Sequence, residues 1–153
     1  MKYAIILGAA AAALVTLVVV AAAAADRGGD KSSFTVVEHA TSDTVTDTGA
    51  AGDSVGDILT FANSVYDASN GTQAGSDNGE CVRTVVGKAW ECWWTTFLAG
   101  GQITVEGPFY DTGDSNLAIT GGTGDYSRAR GWMKLHARNA QGTEYDFAFH
   151  VQS

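Results

Sequence analysis

Gly101 through Tyr126, GQITVEGPFYDTGDSNLAITGGTGDY, admits few folds. Ile103, Val105, Gly107 and Phe109 alternate along one segment, and Leu117-Ala118-Ile119-Thr120 is then stopped by Gly121, Gly122 and Gly124. Strands rich in β-branched and aromatic residues, bounded by Gly, Asp and Asn, point to short antiparallel strands joined by tight turns. Similar segments run along the rest of the chain: Ser33 to His39, Asp57 to Tyr66, Glu80 to Val86, Ala89 to Leu98, Gly131 to Arg138 and Glu144 to Val151. The expected turns are Asn70-Gly71, Asn78-Gly79, Val85 to Lys88, Gly100-Gly101, Gly113-Asp114 and Gln141-Gly142. Ala40 to Gly56 shows neither strand nor helix periodicity and is expected as a long loop over the barrel mouth. The fold predicted is all-β, an eight-stranded antiparallel up-and-down barrel whose interior holds one small ligand.

The first residues are of another kind. Lys2 precedes a run that is apolar from Ala4 to Val20 except for Gly8 and Thr16, and Ala21 to Ala25 supplies small residues before Asp26. That pattern predicts a signal peptide over residues 1–25 and secretion, with an uncleaved membrane anchor as the alternative. Residues 26–32 are expected as a flexible lead and 33–153 as the barrel domain. The formal charge of −8 becomes −9 once Lys2 is removed, and no Lys or Arg cluster exists. Nucleic acid is therefore not an expected partner.

Cys81 and Cys92 are the only two cysteines, and they lie equidistant from the Val85 to Lys88 turn. They fall opposite each other on paired strands, where export permits a disulfide; two apolar core thiols are the alternative. No metal site and no cofactor are expected, since two cysteines without nearby histidines cannot complete a tetrahedral set.

Alternation sorts the hairpin side chains into faces. Cys81, Arg83, Trp90, Cys92 and Trp94 share one, and Leu59, Phe61, Asn63 and Val65 share another. On the last strand Glu144, Asp146 and His150 alternate with Tyr145, Phe147, Phe149 and Val151, and pattern alone leaves the inward set open. His39 and His136 read as exposed, and Glu106 as an exterior charge suited to a subunit contact.

Val105-Glu106-Gly107-Pro108-Phe109 followed by Asp114-Ser115-Asn116-Leu117-Ala118-Ile119-Thr120-Gly121-Gly122-Thr123-Gly124 resembles the centre of the allene oxide cyclase barrel family. There a V-x-G-P-[YF] strand precedes D-S-x-L-A-I-T-G-G-x-G. Gly56 to Tyr66 likewise resembles the family's second strand, G-D-L-V-P-F-T-N-x-L-Y. The resemblance implies Glu38 and Asn63 as catalytic residues, with Phe61, Cys81, Trp90 and Phe109 at ligand-binding positions. Arg83, on the face of Cys81, is added as a ligand-binding candidate. It implies a homotrimer and a buried glutamate facing an asparagine that helps hold a water, a site that rearranges a small hydrophobic metabolite by charge stabilisation and imposed conformation. Two positions depart from the family pattern: Ala40 stands for an asparagine and Phe109 for a tyrosine.

Burial among aromatic rings would raise the Glu38 pKa, whereas pairing with Arg83 would lower it. The expected function is that of a secreted isomerase or cyclase acting on a small hydrophobic or aromatic ligand. Alternatives are a tautomerising demethylase of phenazine-type aromatics, as in the related pyocyanin demethylases, a dirigent-like carrier of phenolic or lipid-like ligands, and an exported barrel with a filled interior. A chamber of roughly 300 Å³ would speak against the last of these.

Overall fold

Each strand of the barrel hydrogen-bonds to its chain neighbour, as short Gly-containing turns dictate. The computed structural model describes residues 31–152 and contains β1 (Lys31–His39), β2 (Thr44–Thr46), β3 (Ile58–Tyr66), β4 (Gln73–Val85), β5 (Ala89–Leu98), β6 (Gly101–Tyr110), β7 (Ser115–Gly122), β8 (Arg130–Ala137) and β9 (Glu144–Gln152). A single 3-10 turn, Gly124–Tyr126, lies between β7 and β8. The antiparallel order is β1-β9-β8-β7-β6-β5-β4-β3, and β1 pairs with β3 to close an eight-stranded barrel. β2 pairs with the outer edge of β3. The expected signal peptide and most of the expected lead lie outside the described residues, and β1 already begins at Lys31.

Three sequence expectations are corrected. Asn78-Gly79 is no turn; it lies mid-strand in β4, which pairs with β3 and β5 from Gln73 onward. Asn-Gly is a turn signal, but the Gly79 position is set by packing: a Cβ there would run into Trp94 Cβ and the Trp93 backbone. Within the 40–56 loop, Val45 pairs with Leu59, so the loop contains the short strand β2. His39 is half-buried, stacked on Tyr66 with ring centroids 4.1 Å apart and hydrogen-bonded through Nε2 to Asn70 Oδ1 at 2.7 Å. These contacts staple the closing seam, where β1 and β3 share only three residue pairs.

Pleating sends alternate residues into the barrel. Phe34, Val36 and Glu38 of β1 pair with Phe149, Phe147 and Tyr145 of β9, and Phe147, Phe149, Met133, Leu117 and Ile103 are fully buried. The last strand's apolar set therefore faces inward, and Glu144, Asp146 and His150 face out. Cys81 and Cys92 are directly opposite and bonded as a disulfide. Gly87 turns their hairpin at φ 64°, a left-handed conformation that glycine adopts without strain.

Candidate active site

Asn63, on β3, ties the interior to the loop above it. Its Nδ2 donates to Glu38 Oε1 at 2.9 Å and to Asp43 Oδ1 at 2.8 Å. Its Oδ1 accepts from the Thr41 N–H, the Ser42 N–H and the Ser42 hydroxyl, each at 3.0 Å. Both amide hydrogens are thus taken by carboxyl groups, and Asn63 tethers the loop to the barrel. Asp57 pins the other end of the same loop, accepting from Thr48 N–H, Ser54 N–H and the Ser54 hydroxyl. Those bonds, the Ser54 amide foremost, hold its carboxyl below the usual range.

Beside Glu38 stands Asp77 of β4, and the two are 5 % and 1 % exposed. Asp77 Oδ1 accepts the Asn63 N–H at 3.2 Å. No N–H or hydroxyl donates to its Oδ2, and the interaction of the two carboxyl groups raises the Glu38 pKa and lowers that of Asp77, which favours the proton on Glu38. Burial is the largest cause raising the Glu38 pKa well above the carboxylate range; the charges of Asp77 and Asp43 add to it, and the Asn63 bond opposes it. Burial likewise raises Asp77 to about 7. Two carboxylates in contact cannot both ionise without a large penalty, so the pair keeps a proton near neutral pH.

Arg83 does not contact this pair. Its Nη1 donates to Asp111 Oδ1 and Oδ2 at 2.7 and 2.8 Å, and its Nε lies 2.6 Å from Asp53 Oδ1, off the N–H axis. Its guanidinium carbon sits 3.9 Å over the Trp90 ring. The expected pairing of Arg83 with Glu38 is therefore absent, and the raised pKa of Glu38 is the outcome. Arg83 and Trp90 line a separate space of about 370 Å³ beneath the 40–56 loop, with Asp53 and Asp57.

Glu38, Phe61, Cys81 and Phe109 do come together, in a cavity of about 30 Å³ that Trp94 and Tyr145 also line. That is room for about one water, far less than the sequence led us to expect. Aromatic rings pack inside the barrel, Trp94 tilted against Phe147 at 5.4 Å and Phe34 stacked on Phe149 at 5.0 Å. Above the cavity lies a vestibule of about 170 Å³. Phe109, Leu135 and Tyr145 line both spaces, and the Phe109 and Tyr145 rings meet edge to face at 5.9 Å. Burial also raises the Tyr145 pKa, with Glu38 and Asp43 adding to the effect.

Asp77, Asp43 and Tyr145 were not singled out from the sequence. Asp77 shares the parity of Gly79, Cys81 and Arg83, and extending β4 backwards past Asn78-Gly79 would have placed it inside. Asp43 left no such trace, since its loop has no period.

Residues 16–149 match the allene oxide cyclase family model. The chain belongs to the allene oxide cyclase family. Solved structures similar to it include a pyocyanin demethylase, 27 % identical over 76 % of this chain and 98 % of that one, with a TM-score of 0.67. The exo-specific intermolecular Diels-Alderase AbnU is 16 % identical over 82 % of this chain and all of its own, with a TM-score of 0.64. A pterocarpan synthase dirigent protein is 14 % identical over 81 % of this chain and 86 % of that one, with a TM-score of 0.65. The last two similarities speak to the fold alone. Glu38 and Asn63, which the resemblance implies as catalytic, are hydrogen-bonded side by side in this barrel, and Asp77 is a second buried acid.

Proposed function

We propose that this protein is an exported isomerase or cyclase of the allene oxide cyclase family, acting on a small hydrophobic or aromatic metabolite. The observation that carries this reading is a buried Glu38, its pKa raised foremost by burial, in the wall of a cavity whose other lining, Asp43 apart, is apolar and aromatic. Glu38 acts as general acid, donating to an oxygen or nitrogen of the ligand as charge develops there, and a proton released from the ligand returns to it. Asp77, whose pKa burial raises to about 7, stabilises the carboxylate left on Glu38 when it holds its own proton and donates it there. Phe61, Trp94 and the Cys81–Cys92 bridge form the wall that sets the ligand's conformation. Ligand entry requires the Phe109 and Tyr145 rings to part, joining cavity and vestibule into a space of metabolite size.

Export is supported by the disulfide. A homotrimer is supported by a broad external groove on the barrel's outer face, lined by Glu106 and a Trp93 that is 44 % exposed; a monomer by light scattering refutes that part.

The second reading, a demethylase of phenazine-type aromatics using the same acid, is favoured by the identity to a pyocyanin demethylase. The small cavity favours a third, a barrel that binds or merely folds without turnover. Incubating wild type and Glu38→Gln with phenazines, terpenoids and oxylipins, followed by mass spectrometry, separates them. Isomerisation gives a product of unchanged mass, demethylation one lighter by a methylene. Glu38→Gln should lower turnover by at least about 100-fold while ligand binding persists. Equal turnover by the variant defeats the catalytic role, and ligand binding without turnover by wild type makes the protein a carrier.

A further inference from the structure

Trp94 carries a hydrogen-bond donor that the chain leaves unused. Its side chain is 5 % exposed and lines the cavity beside Glu38, yet its Nε1 has no hydrogen-bond acceptor among the described residues. An indole N–H can only donate, and a buried donor without an acceptor is disfavoured until a ligand or water supplies one. The charges around it are one-sided. Glu38 and Asp43 line the cavity with no lysine or arginine among its walls, and Asp77 contacts Glu38. Arg83, a buried cation in the same barrel, faces another space and is already matched by Asp53 and Asp111.

We infer that the cavity selects an uncharged ligand whose polar end is an acceptor (a carbonyl, an ether or epoxide oxygen, or a heteroaromatic nitrogen) held by the Trp94 N–H, and that it rejects carboxylates. The inference rests on the catalytic reading above, in which this same cavity receives the substrate. An anion entering there would leave water, find no cation, and meet carboxyl groups that repel it. An apolar ligand without an acceptor would fill the space and leave the indole N–H unmatched.

Three probes sharing one ring test this on the oxidised full chain: acetophenone, ethylbenzene and benzoate, titrated at a pH above the Asp77 value of about 7. Affinities and the Trp94 indole N–H resonance are read together by NMR. Acetophenone should bind about tenfold tighter than ethylbenzene and move that resonance downfield, and benzoate should bind more weakly than either. Trp94→Phe, which keeps a ring against Phe147, should abolish the preference for acetophenone over ethylbenzene measured on that same variant, a ratio in which the added room largely cancels. Should the variant fail to fold, the order among the probes on wild type still decides. Benzoate binding as tightly as acetophenone, acetophenone no better than ethylbenzene, or no probe binding at all overturns the inference. Turnover that depends on Glu38 without this order defeats the ligand class alone, and the order without any turnover defeats the catalytic reading alone.

Discussion

Arg83 and Glu38 are both buried under the 40–56 loop of one barrel, and their surroundings treat them in opposite ways. Arg83 meets two carboxylates, from the loop and from the β6–β7 turn, and an aromatic face, so its charge is matched. Glu38 meets two further acids and a single amide, with no cation in contact. A matched ion group holds loops in place and has little left to give a ligand. An unmatched acid keeps its proton, sits poised to transfer it, and costs stability whenever it ionises. The contrast divides the barrel mouth into a clasp and a reactive wall.

The largest effect that would sharpen this division is on the clasp. Arg83→Ala should cost about 3 kcal/mol, read as a lowered urea midpoint, because it frees Asp53 and Asp111 and opens the space beside Trp90. A loss within error of zero would make Arg83 a free charge and the division false. Asp77→Asn should do the reverse at alkaline pH. Folded Asp77 holds its proton to about 7, while the unfolded chain releases it near 3.8. The native state thus binds the extra proton between those values, so wild-type stability falls as pH rises through that window and then levels off for this group. The asparagine removes the fall, and the variant should exceed wild type by about 2 kcal/mol above pH 7 and match it near the unfolded value. A wild-type curve that rises across the window breaks the contrast. Smallest is Asp43→Asn, which removes one repelling charge from Glu38. The Glu38 carboxyl titration, followed by NMR, should move down, and an upward move would reverse the assigned role of Asp43.

Much of the barrel was legible because alternation is a local property. Shared strand faces and the opposition of Cys81 and Cys92 followed from parity and turn placement, whereas Glu38, Phe61 and Asn63 were marked as site residues by the family resemblance. What escaped depends on contacts between segments distant in the chain. Asp43 and Asp53 reach their partners only once the loop has folded back, and nothing in their spacing announces it. Asp77 was hidden by Asn78-Gly79, a pair that normally reverses the chain but here makes room for the Trp94 side chain. Cavity size escaped as well. Counting aromatic residues on inward faces does not say how closely the Phe147, Phe149 and Trp94 rings interleave.

The sulfur–sulfur bridge is part of the cavity lining as well as a link between strands. Protein made in a reducing cytosol would carry two thiols there instead, each a weak donor and, as thiolate, a nucleophile. Its inner surface would then differ chemically from that of the oxidised form. The compartment of synthesis therefore helps to determine which reagents and ligands this barrel can tolerate.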